Sequence, residues 1–297
     1  MIRLIASDMD GTLLDENSKV PPETFELIHE LGKHGVQFSV SSGRRYNGLS
    51  ELFGPVADEI NYVASNGMEV FAGGKLIGRE VFSHDAICDL AELVNHFDIL
   101  HLCVSDGENV YVCDDSHEKF ERHMAYRIKR FGNNVLEQPP QVYGLPGPEM
   151  DLLTGWFSCE DREQLTDLAY VLTVEMGDRF TFNYTQYAID FTPAHISKAT
   201  GLLKIMGHYD ITPQETIAYG DSMNDYEMLR YVGHPTVMGN ALYGVEAVAA
   251  RVIESNKEHG VQKDMARLLA ELERGGDGSE TVAWSAGHGT TPGYFDV

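Results

Sequence analysis

The chain opens on an apolar run, Ile2 to Ala6, that stops at two carboxylates one residue apart, Asp8 and Asp10, followed at once by Gly11-Thr12. A run that short and that apolar, with Arg3 its one charge, reads as a buried strand. The Gly-Thr pair reads as a turn that ends it. Alternate residues of a strand share a side, so Asp8 and Asp10 point the same way if the strand continues through them. Two like charges so placed repel unless a cation or a proton intervenes. A solvated strand end explains an isolated D-x-D-G-T as simply as a working site does, so partners elsewhere in the chain decide between them.

The stretches that follow alternate. Pro21-Pro22-Glu23 is a helix start, Phe25, Ile28 and Leu31 recur at helical spacing, and Gly35 closes that helix. Val36 to Val40 is a second strand that ends in Ser41-Ser42-Gly43-Arg44; a short helix runs to about Phe53; Tyr62 to Ala64 is a third strand that ends in Ser65-Asn66-Gly67. Strand, helix, strand, helix, strand implies a parallel sheet with crossover helices. Polar groups collect at the carboxyl ends of these strands, where open α/β sheets bind ligands.

The pattern then changes. Two apolar runs flank Gly73-Gly74 as a hairpin. Helices around Ile87–Val94, Phe120–Phe131 and Asp161–Met176 are interleaved with strands near Ile99–Val104, Asn109–Cys113, Leu152–Ser158, Phe180–Tyr184 and Tyr187–Phe191, and the proline-rich stretch from Pro139 to Pro148 reads as loop. Residues 83–190 are thereby an inserted α+β domain. Crossover order resumes at Ser197-Lys198. Thr216–Tyr219 is a strand that ends in Gly220-Asp221-Ser222-Met223-Asn224-Asp225, and a last helix carries Val261, Met265, Leu268 and Leu272 on one face. Residues 1–82 and 191–274 make the principal α/β domain, and 275–297, poor in periodicity, reads as a mobile tail.

Composition removes several classes of function. With 22 basic and 46 acidic residues the formal charge is −24, which argues against nucleic acid or an anionic membrane as partner. No apolar run approaches the length of a membrane span, and no leader segment precedes the first strand, so a cytoplasmic enzyme is expected. The four cysteines form no C-x-x-C pair and read as free thiols.

Four polar clusters therefore fall at strand ends or at a helix start: Asp8/Asp10, Ser42-Gly43-Arg44, Lys198, and Asp221/Asn224/Asp225. Each alone has an ordinary explanation. Ser42-Gly43 can be a plain turn, Lys198 a solvated helix lysine, Asp221 a helix cap, and Arg44 a structural salt-bridge partner. Together they resemble the haloacid dehalogenase superfamily of phosphohydrolases: DMDGT matches its first motif, SSGR its second, Lys198 at a helix start its third and GDSMND its fourth. The insert looks like the type IIB (C2B) cap of the Cof-like sugar-phosphate phosphatases. The likeness covers roughly residues 1–273 and implies a Rossmann-like parallel-sheet core with an α+β cap.

The resemblance implies chemistry that the residues can support. A phosphate monoester carries nearly two negative charges, so a carboxylate nucleophile needs a cation, and Mg2+ held by oxygen ligands would supply it. By resemblance, Asp8, the backbone carbonyl of Asp10 and Asp221 bind that ion, while Asp225 holds it through a water or orients Lys198. Asp8 would be the nucleophile and form an aspartyl-phosphate; Asp10 would protonate the leaving alkoxide and then deprotonate water. Ser42, the amides of Met9 and Gly43, Lys198 and Asn224 would hold the phosphoryl oxygens. Asn66, at the same sheet edge, is a candidate substrate contact only. The cap would supply specificity from loops, with the segment Asn183–Tyr187 and the loop after Cys113 as candidates. The expected activity is hydrolysis of small phosphorylated metabolites; a hexose-phosphate mutase and a non-catalytic phosphometabolite-binding protein are the alternatives.

Overall fold

The opening apolar run forms β1 (Leu4–Ser7), with all four residues buried. In the computed structural model, which describes residues 1–97, 99–131, 139–159, 165–184 and 188–283, the chain divides into two compact units. One is Met1–Arg79 with Ser197–Val297, and the other is Glu80–Ile196.

In the first unit, β1 is followed by α1 (Glu23–Lys33), β2 (Gln37–Ser41), α2 (Tyr46–Leu52), β3 (Asn61–Ala64), β4 (Glu69–Ala72) and β5 (Lys75–Arg79). The second unit holds α3 (His84–Val94), β6 (Leu100–Ser105), β7 (Val110–Val112), α4 (His117–Phe131), β8 (Gln141–Tyr143), β9 (Thr154–Cys159), α5 (Leu165–Met176), β10 (Phe180–Tyr184) and β11 (Ala188–Pro193). The chain then returns to the first unit with α6 (Lys198–Tyr209), β12 (Thr216–Gly220), α7 (Tyr226–Tyr231), β13 (His234–Met238), β14 (Arg251–Ile253) and α8 (Gly260–Glu273).

The first unit is a doubly wound sheet in the order β14-β13-β12-β1-β2-β3-β4-β5. The strands from β14 to β3 are parallel, and β4 and β5 add an antiparallel hairpin at one edge. One face of the sheet packs on α1, α2 and α8 through residues such as Ile28, Leu31, Phe53, Val261 and Met265. The other packs on α6 and α7 through Leu202, Ile205, Met228 and Leu229. Side chains of this size each contribute about 1.5–3 kcal/mol when fully buried, so both faces are needed to hold the central strands. β1 is flanked by β2 on one side and β12 on the other, so the winding reverses there, and open α/β sheets bind ligands beyond the carboxyl ends of strands at such a reversal. Asp8 and Asp221 follow β1 and β12.

The second unit is a six-stranded sheet in the order β10-β11-β9-β6-β7-β8, antiparallel except for the β7–β8 pair. Phe82, Phe157, Phe180, Phe182 and Phe191 form one aromatic cluster on it, with neighbouring ring centroids between 5.0 and 6.3 Å apart. His101 is fully buried in this unit, where Nδ1 lies 3.0 Å from Asp114 and its ring stacks on His123.

Three expectations need correction. The insert is wider at both ends than 83–190. β11 keeps pairing with β10 as far as Pro193, and the Phe82 amide donates to Leu152, which draws the flanks into the second unit. The proline-rich stretch contains a short strand, β8, because Pro139 and Pro140 precede it and leave its own amides free to pair with β7. Finally, residues 275–283 are docked. The Ile2 amide donates to Asp277 O at 2.9 Å, Glu271 accepts from the Glu280 and Thr281 amides at 3.1 and 2.8 Å, and Val282 packs on the core. Residues 284–297 and most of the specificity segment 183–187 lie outside the described residues. No described helix is long and apolar enough to cross a membrane.

Candidate active site

The carboxyl end of β1 is organised around a buried ammonium. Ser197 caps α6 by accepting from the Thr200 amide at 3.4 Å, and this reciprocal capping box fixes Lys198 as the first helical residue. Lys198 is 1% exposed, and its Nζ donates at 2.6 Å to Asp8 Oδ1 and at 2.6 Å to Asp225 Oδ1. A solvated lysine on a helix face is thereby ruled out.

Asp225 spends its other oxygen on the loop that follows β12. Oδ2 accepts from the amides of Asp221 and Ser222, each at 3.1 Å. Both oxygens are therefore occupied in orienting Lys198 and shaping the GDSMND turn. Asp221 Oδ1 accepts from Thr12 Oγ1 at 2.9 Å. Gly11 explains the closeness of the two loops: a Cβ there would lie 2.3 Å from Asp221 Oδ2, and its φ of +86° is one that only glycine adopts without strain. Asn240 closes the arrangement by donating to Gly11 O at 2.8 Å.

Asp8, Asp221 and Asp225 offer carboxylate oxygens all within 4.8 Å of one another, and all three are out of bulk water. Three carboxylates against the one Lys198 ammonium leave two negative charges uncompensated. The strain shows in their acidities. Burial pushes Asp8 up to about 8, helped by the charge of Asp225 and opposed by Lys198. Asp221 rises to about 6 through burial and then Asp225. Burial alone would lower Lys198, but the attraction of Asp225 and Asp8 outweighs it, so the ammonium is held charged beyond the ordinary lysine range. An all-oxygen donor set with a residual charge of minus two fits a hard divalent cation such as Mg2+.

The remaining predicted residues lie on the segments that follow β1, β2, β3 and β12. Met9 is fully buried under the turn, and Ser42 is 2% exposed, its Oγ accepting from the Arg44 amide at 3.2 Å. Gly43 is exposed, and Asn66 lies against it: a Cβ on Gly43 would be 3.2 Å from Asn66 Nδ2. Asn224 is half-buried and accepts from Ser222 Oγ at 2.5 Å, on the same loop as Asp221. Asp10 is not among the buried carboxylates. Its side chain is 58% exposed and bound to Arg44. Arg44 takes the salt-bridge role expected of it, with Asp10 as its partner, whereas Thr12 and Asn240 are contributors that the motifs did not assign. Thr12 carries a sequence signal only as the end of D-x-D-G-T.

The family model of haloacid dehalogenase-like hydrolases matches residues 5–265. The chain belongs to the haloacid dehalogenase-like hydrolases. Among curated haloacid dehalogenase-like relatives, the 5-amino-6-(5-phospho-D-ribitylamino)uracil phosphatase YbjI of Escherichia coli K12 is 28% identical over 280 residues, covering 90% of this chain and 96% of that protein. An HMP-PP phosphatase of Escherichia fergusonii is 26% identical over 245 residues, covering 82% of this chain and 86% of its own. A haloacid dehalogenase-like hydrolase of B. subtilis has a solved structure that superposes with a TM-score of 0.73 at 23% identity, over 90% of this chain and 100% of that one. That likeness extends the shared fold through both units of this haloacid dehalogenase-like chain.

Proposed function

We propose that this hydrolase is a Mg2+-dependent phosphatase of small phosphorylated metabolites that works through an aspartyl-phosphate on Asp8. The observation that carries the reading is the buried set in which Lys198 bridges Asp8 and Asp225 at 2.6 Å while Asp221 stands within 4.8 Å of both. The two curated relatives are named for two different phosphorylated small molecules, which supports the class of substrate.

Asp8 and Asp221, with the Asp10 carbonyl, would hold the ion, and Asp225 would reach it only through a water because its own oxygens are engaged. When bound, Mg2+ supplies the positive charge that lets an anionic nucleophile meet an anionic ester. The chain's own groups do the rest. An Asp8 carboxylate oxygen attacks phosphorus; the bond from phosphorus to the ester oxygen breaks, and the departing alkoxide takes a proton from Asp10. Water then attacks the same phosphorus and gives its proton to Asp10, the bond to Asp8 breaks, and inorganic phosphate leaves with Asp8 restored. Lys198, Ser42, the amides of Met9 and Gly43, and Asn224 hold the phosphoryl oxygens, and such fixed donors are the largest catalytic contribution in sites of this type.

The test is phosphate release by the purified chain from a panel of phosphorylated metabolites and p-nitrophenyl phosphate, with Mg2+ and with EDTA. Release that EDTA stops and Mg2+ restores is expected. Turnover indifferent to chelation would overturn the metal assignment. Conversion that needs a sugar bisphosphate and releases no phosphate would make the protein a mutase.

A further inference from the structure

The Asp10 side chain and the Asp8 side chain are held in opposite ways. Asp8 is gripped in the interior by Lys198. Asp10 is more than half exposed, and among the described residues its carboxylate accepts hydrogen bonds from Arg44 alone. Arg44 Nε donates to Oδ2 at 3.0 Å and Nη2 to Oδ1 at 2.5 Å. This is a two-pronged contact on both oxygens, which fixes the plane of a carboxylate as a single contact does not. An ion pair this exposed contributes little to stability. What it supplies is orientation.

The Arg44 backbone is itself pinned from the far side. The Ser65 amide donates to Arg44 O at 2.9 Å, and the Asn66 amide donates to Ser42 O at 2.9 Å. The residues that present these amides sit in a left-handed turn: φ is 50° at Ser65, 55° at Asn66 and 105° at Gly67. Two consecutive non-glycine residues in that region are costly, and such strain persists where the surroundings impose it. The Asn66 Oδ1 atom is buried and takes no hydrogen bond among the described residues, a further cost borne by the same turn. The strained turn thus aims the Ser42–Arg44 segment, and Arg44 reaches from it to Asp10.

We propose that Arg44 is a positioning residue that aims the Asp10 carboxyl for both proton transfers, with the Ser65–Gly67 turn as its mount. The inference rests on the phosphatase reading above, in which Asp10 is the proton donor and acceptor. General acid–base catalysis contributes about 10²–10⁴-fold, so a misaimed Asp10 forfeits part of that factor wherever a proton must move. The first step needs a proton from Asp10 when the leaving group is an alkoxide but not when it is p-nitrophenolate. The second step, attack by water, needs Asp10 for every substrate.

The experiment compares the native chain, Arg44→Ala and Arg44→Lys in Mg2+ by rapid mixing with p-nitrophenyl phosphate and by steady-state turnover of glycerol 3-phosphate. Arg44→Ala is expected to release close to one p-nitrophenolate per site in a burst and then to turn over more slowly than the native chain, by about tenfold or more. With glycerol 3-phosphate it should show a larger fall in kcat, with KM little changed. Arg44→Lys keeps the charge without the two-pronged contact and should fall between. An equal loss on both substrates with no burst would make Arg44 merely structural and overturn the proposal, as would a change confined to KM, which would make it a substrate contact. Should Arg44→Ala fail to fold, Arg44→Lys carries the same comparison. A native chain inert on p-nitrophenyl phosphate and on the whole panel of phosphorylated metabolites would remove the phosphatase reading first and this proposal with it; where the panel gives a better alkyl phosphate than glycerol 3-phosphate, that one takes its place.

Discussion

At the scale of single residues, the site is a problem of too much negative charge solved by one lysine and room for a divalent ion. Asp8 carries the clearest consequence. Its carboxyl is raised from 3.8 to about 8, chiefly by burial. A carboxyl raised in the fold binds its proton more tightly there than in the unfolded chain, so between these two values the metal-free protein loses stability as pH climbs. A cation bound at the same oxygens must displace that proton, so its binding strengthens as pH rises. The gain in Tm on adding Mg2+ is therefore expected to be larger at pH 8.5 than at pH 5.5, read by thermal denaturation at each pH with and without the ion; an equal or smaller gain at the higher pH would contradict it. These groups were legible in the chain because aspartate and lysine at strand ends and a helix start are chemically conspicuous. The Arg44–Asp10 contact was not, since the two residues are 34 apart in sequence and are brought together only by the sheet.

At the scale of elements, glycines and buried ion pairs set the loops. Gly11→Ala would force a Cβ to within 2.3 Å of Asp221 Oδ2 at a φ of +86°. A displacement of that order costs about 10²-fold in turnover, which steady-state kinetics on a protein of native circular dichroism would show. Behind the site, the Tyr219 hydroxyl donates to Asp264 Oδ2 at 2.7 Å, and Arg251 Nη1 donates to Asp264 Oδ1 at 2.7 Å, which ties β12 to β14 and α8. Asp264→Ala would leave a buried guanidinium uncompensated, and breaking such a pair costs about 3–5 kcal/mol; urea denaturation should report a loss of that size. Apolar runs ending in polar clusters made the parallel strands readable. β8 escaped notice because three residues between prolines carry too little pattern to separate strand from loop.

At the scale of the whole molecule, the chain interrupts one sheet to build another and then completes the first. The change of pattern from crossovers to hairpins revealed the insertion, but its limits depended on pairings such as Phe180 with Pro193 that no local signal marks. The segment after α8 was misjudged for a similar reason. Glycine-rich composition said nothing of the Glu271 carboxylate that receives it or of the Ile2 amide that bonds to Asp277. Ending the chain at Arg274 is expected to lower Tm while leaving kcat within about twofold, because the contacts that residues 275–283 make are with Ile2, Glu271 and the core rather than with the Asp8–Lys198 cluster; an inactive but folded truncation would contradict this.

The most direct measurement is release of inorganic phosphate by the native chain and by Asp8→Asn, side by side, in Mg2+ and with both proteins shown to be folded by circular dichroism. Asparagine preserves the shape and removes the nucleophile. The expected result is phosphate release by the native chain and none above background by the variant. Turnover by Asp8→Asn at the native rate would contradict the assignment of Asp8 and, with it, the aspartyl-phosphate route.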